Sequence, residues 1–283
     1  MENAFTILPM SQNFTLNPGE TTTGTITIVN PVNSTSDFSY SVSVSPYNVV
    51  GEDYQADITN ISAYSKIAEW ITISEPTGTI APNESREVEF TITVPENAPG
   101  GGQYAAIMVS SNPNQQQADG VSINNVFALA SIIYANIDGE ITHEGSIIEN
   151  NVPEFSTTTP VSVSALLDNH GNVHESAIFA LNVTNALTGE KIFPTDEDQN
   201  NHFSEIVMPE STRFITRNID NLPMLGIVKV EQTIYYNNAV STVTKDIIIC
   251  PVWFFFLVAL VVISIIGFII ASVRHHRRKK STI

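Results

Sequence analysis

His170 and His174 stand four residues apart in DNHGNVHE, a spacing that on a helix would put two imidazoles on one face to chelate a metal. Their neighbours argue for a different geometry. Asn169, Gly171 and Asn172 are turn formers, so the stretch reads as a turn between two strands. TDEDQNN at 195–201 gathers Asp196, Glu197 and Asp198, hard oxygen ligands of the kind that hold calcium. It lacks the alternating ligands and turn glycine of an EF-hand loop, and reads as a solvated hairpin tip. GEDYQAD at 51–57 reads the same way. No Cys pair or His-Glu-x-x-His supports zinc, and no Gly-x-Ser-x-Gly turn offers a serine nucleophile. Paired carboxylates for glycoside hydrolysis could in principle come from the 29 acids. Two sandwiches without long inserted loops rarely build the deep cleft such chemistry needs, so the chain is expected not to be an enzyme and to carry no metal or cofactor. Asn13, Asn33, Asn60, Asn83 and Asn182 each begin an N-x-Ser/Thr sequon, which an Asn- and Thr-rich β protein produces by chance.

The elements that position these residues are strands. Phe38, Tyr40, Val42 and Val44 alternate with serines, and Val88, Phe90, Ile92 and Val94 alternate with Glu89, Thr91 and Thr93. Period-two runs of this kind are half-buried antiparallel strands. Turn signals separate them, among them Asn17-Pro18-Gly19, Pro76-Thr77-Gly78 and Ala98-Pro99-Gly100-Gly101-Gly102. Seven strands are expected in the first part, at 6–8, 21–29, 38–44, 70–74, 87–94, 103–110 and 126–137, with one helical interruption, SAYSKIAE at 62–69. Six more are expected after Asp138-Gly139-Glu140, at 161–167, 177–184, 202–207, 212–219, 228–236 and 240–248. The polar stretch NPNQQQADG at 112–120 has no period and is expected to be an exposed loop. The fold class is therefore all-β, two tandem immunoglobulin-like β-sandwiches at 1–137 and 138–246, followed by one C-terminal transmembrane helix.

That helix is expected within 247–273, with its boundaries at Ile249 and Val273. The run has no Asp, Glu, Lys, Arg or His, and as a helix it is long enough for a hydrocarbon core of about 30 Å. Arg274, Arg277, Arg278, Lys279 and Lys280 follow in a ten-residue tail at 274–283, and the positive-inside rule puts that end in the cytosol. The preceding sandwiches then face outward. An outward topology calls for an export signal, and MENAFTILPM has no basic region with a long apolar run after it. The expectation is a trimmed or displaced start; a tail anchor with cytosolic sandwiches is the alternative. Five of the 12 Lys and Arg lie in the tail, leaving seven against 29 Asp and Glu and a net charge of −22 ahead of it. Such a surface repels phosphate backbones, so no nucleic-acid partner is expected. The single cysteine, Cys250, precludes a disulfide within the chain and favours a bacterial or archaeal surface protein. Cys250 itself reads as a small apolar residue, with lipidation as the minor alternative.

Three stretches resemble a known family. LNPGETTTGTITIVNP at 16–31 is a strand opened by Pro-Gly-Glu, and AYSKIAEWITISEPTGTIAPNESREVEFTITVPENAPGGGQYAAIMVSS at 63–111 adds a Pro-Gly-Gly-x-Tyr turn. LLDNHGNVHESAIFALNV at 166–183 carries an Asn-x-Gly-Asn-x-His turn. In this order, with a membrane helix and basic tail, they look like the WxL-interacting proteins, cell-surface proteins of Gram-positive bacteria. The resemblance implies a first domain that contacts peptidoglycan and a second that engages a WxL-domain protein or a host surface protein. It assigns these contacts to no particular residues. The function expected is a non-enzymatic, membrane-anchored binding protein for peptidoglycan, another cell-wall polymer or a surface protein. A structural stalk acting through self-association or strand addition is the alternative.

Overall fold

The computed structural model describes residues 5–111, 127–192 and 202–280, with side chains as far as Ser272. The expected loop at 112–120 and the acidic cluster at 195–201 lie outside the described residues. So do the side chains of Val273, Arg274, Arg277, Arg278, Lys279 and Lys280. The chain divides into two compact units, one of Met1–Ser146, Leu167–Ser176 and Ile206–Phe214, the other of Ile147–Leu166, Ala177–Glu205 and Ile215–Ile283.

The first stretch of chain folds as β1 (Thr6–Leu8), β2 (Ser11–Leu16), β3 (Thr21–Val29), β4 (Phe38–Pro46), β5 (Asn48–Val50), β6 (Gln55–Asp57), β7 (Ile71–Ile73), β8 (Thr77–Ile80), β9 (Ser85–Thr93), β10 (Gly101–Ser111) and β11 (Ala128–Ile137). Two sheets, in the orders β1-β3-β9-β7 and β2-β11-β10-β4-β8, form the sandwich, and β5 pairs with β6 as a separate hairpin. The alternation read from the sequence is what fills the core. Ile26, Ile28, Val88, Phe90 and Ile92 from one sheet meet Tyr40, Val42, Ile107, Val109, Ile133 and Ile137 from the other, all buried. The expected helix at 62–69 is a single 3₁₀ turn, Lys66–Glu69, with Ile67 fully buried. The buried Gln103 holds this turn, accepting from the Ile67 N–H at 3.3 Å and donating to the Ala63 carbonyl at 2.8 Å.

The rest of the chain supplies β12 (Gly145–Asn151), β13 (Phe155–Ser156), β14 (Val161–Asn169), β15 (Glu175–Asn185), β16 (Lys191–Ile192), β17 (His202–Val207), β18 (Ser211–Ile219), β19 (Gly226–Tyr236) and β20 (Ala239–Ile249). They form a sheet in the order β12-β14-β18 and a larger one in the order β13-β20-β19-β15-β16, with β17 also on β15. Val161, Val163, Leu181, Val183, Ile219, Val228, Val230, Ile247 and Ile249 make the core of the second unit. β19 and β20 join through Asn237 and Asn238, both at positive φ (43° and 62°), which is the two-residue turn that pairs Tyr236 with Ala239.

One boundary differs from the sequence reading. Residue 249, given as the start of the transmembrane segment, is the last of β20, one residue beyond the expected strand at 240–248. Ile247 and Ile249 keep period two and pack in the second core, opposite Val228 and Gly226. The unbroken run of apolar residues hides this change of period. Pro251, with no N–H to donate, ends the ladder, and the helix α1 (Val252–Lys280) begins at the next residue. Its segment Val252–Ser272 is 21 residues with a mean hydropathy of 3.1 and none of it buried. At 1.5 Å per residue it spans roughly 32 Å, long and apolar enough to cross a membrane.

Candidate ligand-binding site

The two histidines that opened the metal reading are pulled apart by the turn that holds them. Asn169 is fully buried; its Nδ2 donates to the carbonyls of Val173 (2.8 Å) and Val207 (3.0 Å), and its Oδ1 accepts the Gly171 N–H (2.8 Å). A Cβ on Gly171 would sit 2.4 Å from the Thr142 carbonyl oxygen, so this position requires glycine. His170 faces outward to Asp168, with Nε2 to Oδ2 at 3.0 Å. His174 packs its ring against Tyr104 and Tyr134, with centroids 5.6 and 5.2 Å away. Among the described residues, no group of three or more His, Cys, Asp and Glu gathers to hold a metal.

The same turn locks onto the glycine-rich turn before β10. The Gly102 N–H donates to the Asn172 carbonyl (2.7 Å), and the Thr142 N–H donates to Asn172 Oδ1 (2.8 Å). Asn172 Nδ2 donates to the Glu140 carbonyl (2.8 Å). The Tyr104 hydroxyl accepts the His174 backbone N–H (2.8 Å) and shares a second hydrogen bond with His174 Nδ1 at 3.2 Å. Burial lowers the His174 pKa, with Glu175 opposing. The Pro-Gly-Gly-x-Tyr and Asn-x-Gly-Asn-x-His elements are thus two halves of one hydrogen-bonded junction inside the first unit.

Beside Tyr104 opens a pocket of about 300 Å³, lined chiefly by Tyr47, Tyr64, Asn48, Asp57, Met208 and Glu210. Backbone bonds bring the tyrosines together: the Tyr104 N–H donates to the Tyr64 carbonyl (2.7 Å) and the Tyr47 N–H to the Tyr104 carbonyl (3.3 Å). The far wall, Met208–Ser211, is set by Tyr54. Its hydroxyl accepts the Met208 N–H at 2.7 Å and lies 2.6 Å from Ser211 Oγ, which itself donates to the Met208 carbonyl. The Arg213 guanidinium lies 4.5 Å over the Tyr54 ring.

Burial pushes the Tyr47, Tyr54 and Tyr104 hydroxyls up and Tyr134 to about 12; Tyr64 rises through burial and then through Glu210. All stay protonated donors at neutral pH. Asp57 is held near 2, first by the Asn60 amide and then by Thr59, so its oxygens are committed to their own turn rather than to a metal. The hairpin tip read at 51–57 is therefore the β5–β6 hairpin, and its far end forms the pocket rim. The pocket lining combines tyrosines with amide, hydroxyl and carboxylate side chains.

The sequence reading found no aromatic cluster. Tyr47, Tyr54, Tyr64, Tyr104 and Tyr134 are five of the eight tyrosines, and only the strand pairing gathers them. The one available signal was that four of them flank turns or the Pro-Gly-Gly-x-Tyr element.

No protein-family model matches the chain, and no curated protein matches it. Among solved structures the chain is similar to one described as "Chaperone-tip adhesin complex is vital for synergistic activation of CFA/I fimbriae biogenesis", with a TM-score of 0.43, 12% identity, and coverage of 85% of this chain and 98% of that one. It is also similar to the class 5 fimbriae chaperone CfaA, with a TM-score of 0.41, 12% identity, and coverage of 85% and 98%. A third is the Salmonella enterica SafA pilin in complex with the SafB chaperone, with a TM-score of 0.41, 12% identity, and coverage of 86% and 95%. The fold assignment rests on the sheets and cores of the chain itself.

Proposed function

We propose that the chain is a non-enzymatic binding protein held on the outer face of a cell membrane by α1, with its basic tail in the cytosol. The observation that carries this reading is the apolar, unburied segment Val252–Ser272, which only two residues separate from the last strand of a sandwich. The cationic residues Arg274, Arg277, Arg278, Lys279 and Lys280 follow it, which supports the outward orientation.

The ligand class that the tyrosine pocket fits is a glycan, and the cell-wall polymer implied by the resemblance to WxL-interacting proteins is the first to test. Half-buried Tyr47 and Tyr64 line the pocket together with the polar side chains of Asn48, Ser62 and Ser211. Full-length chain in lipid nanodiscs, sedimented with insoluble peptidoglycan, tests this. Retention that falls about tenfold or more in Tyr64→Ala or Tyr47→Ala, as for loss of an aromatic anchor, supports it. Absence of retention in the unaltered chain refutes the wall ligand. Concentration-dependent growth of the particle in the same preparation would then favour the self-associating stalk.

A further inference from the structure

From the exposed residues around the end of the second unit where α1 emerges, we infer that this end is seated in the bilayer interface, its turns dipping among the lipid headgroups. The inference rests on the membrane-anchor reading and adds a second contact to it.

Register places four chain segments at this end. β20 finishes at Ile249, opposite Gly226, the first residue of β19. The turn at 220–225 therefore lies here. The Ala186 N–H donates to the Ile227 carbonyl (2.9 Å), which brings the turn at 186–189 to the same level. β13 pairs Phe155 with Ile248 and Ser156 with Ile249, and the Cys250 N–H donates to the Ser156 carbonyl (2.9 Å), so 157–160 joins them. Only Cys250 and Pro251 then separate the sheet from α1.

These segments and the strand and helix ends beside them expose large apolar side chains. In the turns Leu187 is 80% exposed, Met224 70% and Leu225 44%; in the adjoining elements Phe155, Ile248 and Trp253 are each 49–50% exposed. Charge is sparse in the turns themselves. In a region carrying a net −22, residues 157–160, 186–190, 220–225 and 250–251 hold two charged side chains, Glu190 and Asp220. Lys245 and Glu154, set back from the rim, pair at 3.1 Å. Single exposed apolar residues are ordinary, but a ring of them around the root of a membrane helix, on a sparsely charged end of an acidic domain, matches an interfacial surface. Trp253 at the helix start is the residue type that favours this depth. Continuity with the anchor decides the occupant, because the lipid surface is within two residues of every one of these turns' common level.

The test uses the full chain in vesicles of phosphatidylcholine, with Cys250→Ala and single nitroxide labels placed by Leu187→Cys, Met224→Cys, Asn238→Cys or Ile263→Cys. Power-saturation depth measurement is the readout. Labels at 187 and 224 are expected about 5–10 Å below the headgroup surface, with 263 deep in the bilayer and 238, at the opposite end of the sheet, in water. Aqueous values at 187 and 224 with 263 still deep would overturn the seating and leave the anchor intact. An aqueous value at 263 would overturn both. Dipolar broadening at 224 from a second copy, without lipid contact, would overturn the seating in favour of a dimer. The labelled positions are exposed, so substitution there leaves the core unchanged.

Discussion

Tyr104 is the residue on which the first unit's junction turns. Its hydroxyl is buried with the ring, accepting one N–H from His174 and hydrogen-bonded to the same residue's Nδ1. Tyr104→Phe leaves both groups without that partner, and the expected cost is about 1–3 kcal/mol in a denaturant titration. His174 makes the junction sensitive to acid. Because burial holds its pKa below the ordinary 6.5, the unfolded chain binds more protons than the folded one as pH falls below that value. Stability contributed by this group is therefore intact above about pH 6.5 and declines below it until the folded-state pKa is passed. His174→Phe is expected to be less stable at neutral pH but to show a flatter acid limb. An unchanged acid limb would mean that other groups set it.

At the scale of elements, the two turns that carried the family resemblance bond directly to each other. Gly171→Ala drives a Cβ against the Thr142 carbonyl and the Glu144 nitrogen, backbone atoms that cannot swing aside. A loss of about 1–3 kcal/mol or more is expected, with a lowered Tm as the check. The strands were legible because each buries one face: Val88, Phe90 and Ile92 alternate as plainly in the sequence as in the core. The short strands β2, β5, β6 and β8 were not, since their apolar residues are too few to set a period and pairing alone makes them strands. The junction of β20 with the helix was read with strand and apolar span overlapping at 247–248, for the opposite reason. Ile247 to Ile249 are apolar at every position, so nothing in the residues marks where a buried strand stops and an apolar helix begins. Truncation is the practical consequence. A chain ending at Lys245 loses Ile247 and Ile249 from the second core, at about 2–5 kcal/mol for each large aliphatic side chain, against a total of about 5–15. It is expected to lose the second unit's cooperative transition, whereas a chain ending at Ile249 keeps it.

At the scale of the molecule, the site followed neither from charge nor from motif. Tyr47, Tyr64 and Tyr134, 30 to 57 residues from Tyr104 in the chain, come to it through the pairing of β10 with β4 and β11 and through the backbone bonds of Tyr47 and Tyr64 to Tyr104. Sequence order carries no trace of that convergence, while the long apolar helix was legible because its length and hydropathy are local properties of composition. The central claim is that the sandwiches stand outside the cell and the basic tail inside. Its most direct test is labelling of intact cells with a membrane-impermeant maleimide, using Cys250→Ala chains with a single cysteine at exposed Asn83 or at Ser281. The account predicts that Asn83→Cys is labelled in intact cells and Ser281→Cys only after lysis; labelling of Ser281→Cys in intact cells, with Asn83→Cys protected, would contradict it.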